Sequence, residues 1–294
     1  MIEKIVKNLE NKQLFLEDIE YLFLKNDPDI YQLYEKSSSL NNNYNHKINL
    51  ESKIFYPLIY HVESNCPTCG YRTPESHRQY NPDYIESVIK YNLDVIKSCN
   101  IDKINCLNAD TYNNFDKDLF LKLLNRYDID KAIKIDHINE LDLIKKYKYT
   151  SLIIDSQNKE IFKVIQEDNK LKNKYNITIN LEIHNNNLKE NVNFINNIKD
   201  YKIDSIELIG YDPFYDDMHE YNPQYNKDYL KKVISILNIT YPDKQLKISY
   251  ATNGNNYFDE IIPLGLNVIN GVYCDKTNKL YNVEKIRQII QKEN

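Results

Sequence analysis

Ser151-Leu152-Ile153-Ile154, then Lys159–Lys172, then Ile177-Thr178-Ile179-Asn180-Leu181-Glu182-Ile183, then Leu188–Ile198, then Ser205-Ile206-Glu207-Leu208-Ile209 is the stretch that decides the fold. Short β-branched runs alternate with longer segments whose apolar residues recur at helical spacing. The same alternation continues outward in both directions. Upstream, the β-rich runs are Ile54–His61, Lys103–Leu107 and Lys131–Ile135, separated by helical candidates Pro82–Ser98, Lys117–Arg126 and Ile138–Lys146. Downstream, Leu246–Tyr250 and Asn267–Ile269 are the runs; Lys227–Ile239, Tyr257–Leu264 and Val283–Ile290 are the helices. Pro82 suits a first helical turn, and Pro242 follows a helix end as a stop. Strands alternating with helices pair in parallel through right-handed crossovers. Eight such units predict an α/β fold of the (β/α)8 TIM type. An open doubly wound sheet competes, but it carries a Gly-rich first turn that is absent here.

The residues before the barrel read differently. Ile2, Ile5, Val6 and Leu9 keep helical spacing, and Leu14–Leu24 and Ile30–Tyr34 follow as further short helices, with Asp27-Pro28 between them. Ser37-Ser38-Ser39-Leu40-Asn41-Asn42-Asn43 reads as a polar linker. The expected organisation is therefore a helical extension with its linker over 1–48 and the barrel over 49–294.

Composition excludes several functions. The chain has 294 residues, is 41% hydrophobic, and balances 38 basic against 43 acidic residues, so no global field favours nucleic acid or anionic lipid. No run reaches the roughly 18 apolar residues of a membrane helix, and the first residues lack the apolar core of a secretory signal. A cytoplasmic protein without nucleic-acid or membrane partners is the expectation. Only five glycines occur, widely spaced, so neither a dinucleotide-binding fingerprint nor a P-loop is present. Five cysteines without a secretion signal argue against a disulfide framework and raise the question of metal binding.

One loop carries the chemistry. After the first barrel run the chain reads Tyr60-His61-Val62-Glu63-Ser64-Asn65-Cys66-Pro67-Thr68-Cys69-Gly70-Tyr71-Arg72. Two thiolates two residues apart can bind one metal or cluster from a tight turn, for which Gly70 supplies the freedom. Structural zinc, a redox dithiol, an iron–sulfur cluster and two unliganded cysteines are the readings of that spacing. Zinc lacks its second cysteine pair or histidine pair elsewhere in the chain. Cys106 closes the second strand run and Cys274 follows the eighth. Strands eight, one and two are neighbours in a closed barrel, so Cys66, Cys69, Cys106 and Cys274 are expected to converge on one side of the mouth. An unliganded strand cysteine would instead be a small buried hydrophobe.

Placed in the loop after strand one of a barrel with a helical N-terminal extension, this motif resembles the radical SAM superfamily. Within it, the chain looks like the biotin synthase branch, which includes methylornithine synthase and the [Fe]-hydrogenase cofactor maturase. Ile206-Glu207-Leu208-Ile209-Gly210-Tyr211-Asp212-Pro213 and Gly265-Leu266-Asn267-Val268-Ile269 resemble that branch's sixth-strand ending and eighth-strand entry. The chain departs from the branch at Tyr60 and Val62, where its first cysteine falls, and at Asn108-Ala109-Asp110, where glycines are usual. The resemblance implies a [4Fe–4S] cluster with one open iron and S-adenosylmethionine bound there. Reductive cleavage then gives a 5′-deoxyadenosyl radical that abstracts a substrate hydrogen. It implies Cys66 and Cys69 as cluster ligands and Cys106 in an auxiliary role. Tyr71 would lie against the adenine, Asn108 and Asp110 would contact S-adenosylmethionine, and Asp155 and Glu182 would line the site. It further implies a small-molecule substrate in cofactor or amino-acid biosynthesis and an electron donor such as ferredoxin or flavodoxin. The competing reading is a degenerate barrel without this chemistry, acting as a binding or scaffold protein.

Overall fold

Eight parallel strands close into a barrel in chain order: β1 (Asn49–Tyr56), β2 (Lys103–Asn108), β3 (Asp130–Lys134), β4 (Ser151–Asp155), β5 (Asn176–Glu182), β6 (Ser205–Ile209), β7 (Gln245–Ser249) and β8 (Leu266–Gly271). The computed structural model describes residues 1–44, 48–56, 82–108, 117–183, 188–199, 201–209, 227–249, 258–271 and 283–293. β8 pairs with β1, Leu50 lying opposite Ile269, which completes the ring. Between the strands run α4 (Pro82–Ser98), α5 (Lys117–Leu124), α6 (Glu140–Lys145), α7 (Lys159–Glu167), α8 (Asn169–Lys174), α9 (Leu188–Ile198), α10 (Lys227–Thr240) and α11 (Phe258–Ile261), with α12 (Val283–Glu293) last. Three helices precede the barrel: α1 (Ile2–Glu10), α2 (Leu16–Leu24) and α3 (Tyr31–Tyr44).

The strands owe their two faces to the two-residue period of the pleat. Ile54, Ile104, Ile133, Leu152, Ile154, Ile179, Leu181, Leu208, Ile248 and Ile269 point outward and are buried in one continuous core with the apolar stripes of the helices. Ala132 and Ile153 form a separate small cluster. Both alternate with outward residues, so they lie inside the barrel. Most of the rest of the described interior is polar: Glu51, Lys53, Asn105, Thr178, Asn180, Glu207, Lys247 and Asn270 are all buried, while Val268 on β8 and Ile209 on β6 are apolar members of the same inward rows. A barrel of this class is ordinarily filled by branched apolar side chains. Here the inward rows are ionic.

Three expectations change at the element level. The Ser37–Asn43 linker is helix, the last two turns of α3. Ser37 is fully buried, donates to the Leu264 carbonyl at 2.6 Å, and its own carbonyl accepts from Asn238 Nδ2 at 2.9 Å. Tertiary partners there override the weak helix propensity of serine and asparagine. β1 begins at Asn49 rather than Ile54, because Glu51 and Lys53 belong to its inward row. The single helix expected over Lys159–Lys172 is two. Asp168 stands extended between them and caps the second, accepting from Lys170 N at 2.8 Å and Leu171 N at 3.2 Å.

Candidate functional site

Enzymes of this architecture place their chemistry at the C-terminal ends of the strands. At that end of β3 and β4, Lys134 Nζ lies 2.9 Å from Asp155 Oδ2 and 3.3 Å from Asp136 Oδ1. Asn180, beside Asp155 in the β4–β5 register, donates to Asp155 Oδ1 at 2.9 Å. The turn after β3 is fixed from below: Glu140 Oε2 accepts from the Asp136 amide at 2.9 Å, and Asn158 Nδ2 donates to the Asp136 carbonyl at 3.0 Å. Lys117, opening α5, closes on the other Glu140 oxygen at 2.5 Å. Burial depresses the Lys117 ammonium pKa, and Glu140 opposes that shift.

Deeper in the barrel, Lys53 Nζ lies 3.3 Å from Glu207 Oε1, and Asn270 Nδ2 donates to the same oxygen at 3.0 Å. Deeper still, Glu51 accepts from Asn105 at 2.8 Å, from Lys247 at 2.9 and 3.0 Å, and from Lys103 at 3.0 Å. Burial alone would raise the Glu51 carboxyl; the Lys247 and Lys103 ammoniums and the Asn105 amide outweigh it and hold the group down at about 2.

The two asparagines carry a further consequence. Each gives its NH₂ to a carboxylate, an acceptor-only group, so the orientation of the amide is dictated. Their carbonyl oxygens, Asn180 Oδ1 and Asn270 Oδ1, are buried without a hydrogen-bond partner among the described residues, as is Asp136 Oδ2. The interior thus presents unmet acceptors, a chemistry complementary to a ligand rich in N–H or O–H donors.

The structure places Asp155 at the end of β4 and half-buried Glu182 at the end of β5, both on the inward row. Asn108 ends β2. Cys66, Cys69, Tyr71, Asp110 and Cys274 lie outside the described residues. Cys106 corrects an expectation. Its neighbour Asn105 bonds Glu51 inside the barrel, so Cys106 faces outward, fully buried in the core between the sheet and the helices. Burial pushes its thiol up to about 12. A ligand shared with the mouth needs the opposite face of β2, so the four-cysteine convergence does not hold at Cys106. Among the described residues, no three His, Cys, Asp or Glu side chains are grouped to hold a metal ion.

Reading the sequence missed Lys53, Lys134, Asn180 and Glu207 as interior groups. The signal was present in outline: a charged or amide residue flanked on both sides by large apolar residues within a strand, as in Ile206-Glu207-Leu208. Such a residue faces away from its apolar neighbours.

No family model matches the chain, and no curated protein matches it by sequence. Solved structures do match its fold. The [FeFe]-hydrogenase maturase HydG from Carboxydothermus hydrogenoformans superposes with a TM-score of 0.70 at 14% identity, over 99% of this chain and 78% of that one. Methylornithine synthase (PylB) superposes with a TM-score of 0.66 at 13% identity, over 98% and 94%. An HpcH/HpaI aldolase from Desulfitobacterium hafniense DCB-2 reaches a TM-score of 0.50 at 8% identity. The chain is a closed (β/α)8 barrel with helices leading into it, the fold of HydG and PylB.

Proposed function

We propose that this protein is a radical SAM-type enzyme acting on a small polar substrate inside its barrel. The observation that carries the reading is the combination of the Cys66-Pro67-Thr68-Cys69 loop after β1 with a barrel whose interior is lined by buried charge and unmet carbonyl acceptors. The polar groups at the ends of β3 to β5 fit a cosubstrate with an ammonium, a carboxylate and ribose hydroxyls. Asp155 and Glu182 are acceptors for such donors. Cys66 and Cys69 would hold the cluster, and Tyr71 and Asn108 would contact the cosubstrate, with Asp110 beside them. When bound, the cluster and S-adenosylmethionine supply one-electron cleavage and hydrogen-atom abstraction, with the electron delivered by a ferredoxin- or flavodoxin-type donor.

The chain's own residues do the positioning. Lys134 holds Asp155 in place while Asn180 fixes its second oxygen, so the carboxylate meets an incoming donor in one orientation. Asn180 Oδ1 and Asn270 Oδ1 accept from substrate N–H or O–H groups. Lys53 and Glu207, paired and buried, keep the interior beneath those strand ends ordered and polar. Part of the donor set, however, is missing: Tyr60 and Val62 stand where a third thiolate falls, and Cys106 faces away from the mouth. That favours, as second reading, a barrel of this fold that binds a small polar ligand without radical chemistry.

Anaerobic iron and sulfide reconstitution followed by EPR decides between them. The first reading expects a reduced cluster signal that changes when S-adenosylmethionine is added, and loss of that signal in Cys66→Ala and Cys69→Ala. No signal, or one indifferent to S-adenosylmethionine, moves the assignment to the second.

A further inference from the structure

The N-terminal end of a (β/α)8 barrel is ordinarily a stability face, closed by packed side chains. In this chain it opens into a cavity of about 570 Å³, a size that suits a small metabolite. Glu51 and Lys103 form its inner wall; Asn100, Asn176, Gln245 and the α12 residue Arg287 stand around it. This is the opposite end from the candidate mouth, and nothing proposed above uses it.

The charges at this end are unequal. Glu51 is already saturated: one oxygen takes Lys247 and Lys103, the other takes Asn105 and Lys247. Lys103 spends one of its three N–H groups on Glu51, and its side chain is 24% exposed. Arg287 lines the same cavity and donates one N–H of its five-donor guanidinium to the Cys99 carbonyl. Asp102 also lines the space and is exposed to solvent. In formal charge the lining residues Lys103 and Arg287 balance Glu51 and Asp102, but Lys247, behind the wall, already pairs with Glu51, so Lys103 and Arg287 stand against Asp102 alone. The carboxamides around the cavity supply paired donors and acceptors, the complement of hydroxyl groups. Burying Glu51 and Lys247 here carries a desolvation penalty that an apolar plug would not. A functional demand explains why the plug is ionic.

We infer that the N-terminal mouth of the barrel binds a small hydroxylated anion, with Lys103 and Arg287 engaging its charged group and the carboxamides its hydroxyls. Isothermal titration calorimetry on the full chain tests this with glycerol 3-phosphate as probe, and with inorganic phosphate and glycerol as single-feature controls. The expected result is saturable binding of glycerol 3-phosphate tighter than about 1 mM, weaker binding of phosphate and none of glycerol. Lys103→Met and Arg287→Gln should each weaken it at least tenfold, and Lys103→Arg should largely restore it. Circular dichroism checks that each variant is folded; should Lys103→Met fail to fold, Arg287→Gln on the outer helix gives the same reading. Absence of saturable binding, equal binding of inorganic phosphate, or unchanged affinity in folded Arg287→Gln overturns the inference.

Discussion

At Glu51 one buried carboxylate meets two ammoniums and an amide, and the consequences are measurable. Its folded-state carboxyl lies near 2 against an ordinary 4.5, so it favours the folded state above the ordinary value and loses that contribution as pH falls toward the folded one. Denaturant midpoints followed from about pH 6 down to 2 should fall less steeply in Glu51→Gln than in the parent. At neutral pH that variant leaves Lys247 and Lys103 facing a neutral amide, and a loss of about 3 kcal/mol is expected from equilibrium unfolding. Cys106 illustrates the opposite case. Its thiol is buried and held protonated, so alkylating reagents at neutral pH should leave it unmodified in the folded protein, as mass spectrometry of digested samples would report. Cys106→Ala should lower stability by about 1 kcal/mol and leave cluster loading unchanged. Loss of the cluster in that variant would reinstate Cys106 as a ligand. Neither role was legible from residue type: a strand cysteine beside an asparagine reads alike whichever of the two faces inward, and pairing register decides it.

At the level of elements, caps and side-chain partners set boundaries that hydrophobic period leaves open. The Lys159–Lys172 segment has helical spacing throughout, yet Asp168 accepts two backbone amides and splits it. Asp168→Ala should destabilise the protein by about 1 kcal/mol. Ser37 and Asn238 tie α3 to α10, and Gly265 follows at φ 116° with no room for a side chain: a Cβ there would sit 2.3 Å from Asn238 Cγ. Gly265→Ala is therefore expected to cost more than the roughly 1 kcal/mol of an ordinary glycine replacement at positive φ, read as a drop in thermal midpoint. Most strand and helix positions were legible because the outward rows are mostly apolar, with Ser52, Lys131 and Asn267 as buried polar exceptions. The α3 extension and the start of β1 were not, since serine, asparagine, glutamate and lysine in these elements are stabilised by partners distant in sequence.

Across the whole molecule, the helices before the barrel share its core. Ile5, Leu9, Leu22 and Leu33 are buried with Leu230, Ile234 and Leu237 of α10 in one cluster. Asn196 exchanges two hydrogen bonds with Leu14, and Lys231 pairs with Asp27, whose carboxylate also accepts from Tyr34 at 2.8 Å. A chain beginning at 48 would expose that apolar face of α10. Loss of cooperative thermal unfolding or aggregation is expected, by circular dichroism and light scattering; a truncated chain that melts cooperatively would show the barrel to be independent. The sequence alone determined the eight-unit alternation and the parallel barrel, because each rests on local period and spacing. Only the tertiary structure decided what fills the barrel. Closing the ring brings Lys53 to Glu207 and Lys247 to Glu51 across 154 and 196 positions of chain. Local pattern can mark such a residue as facing away from its apolar neighbours, but it does not say which distant residue it pairs with, and it is that pairing that keeps the charges inside.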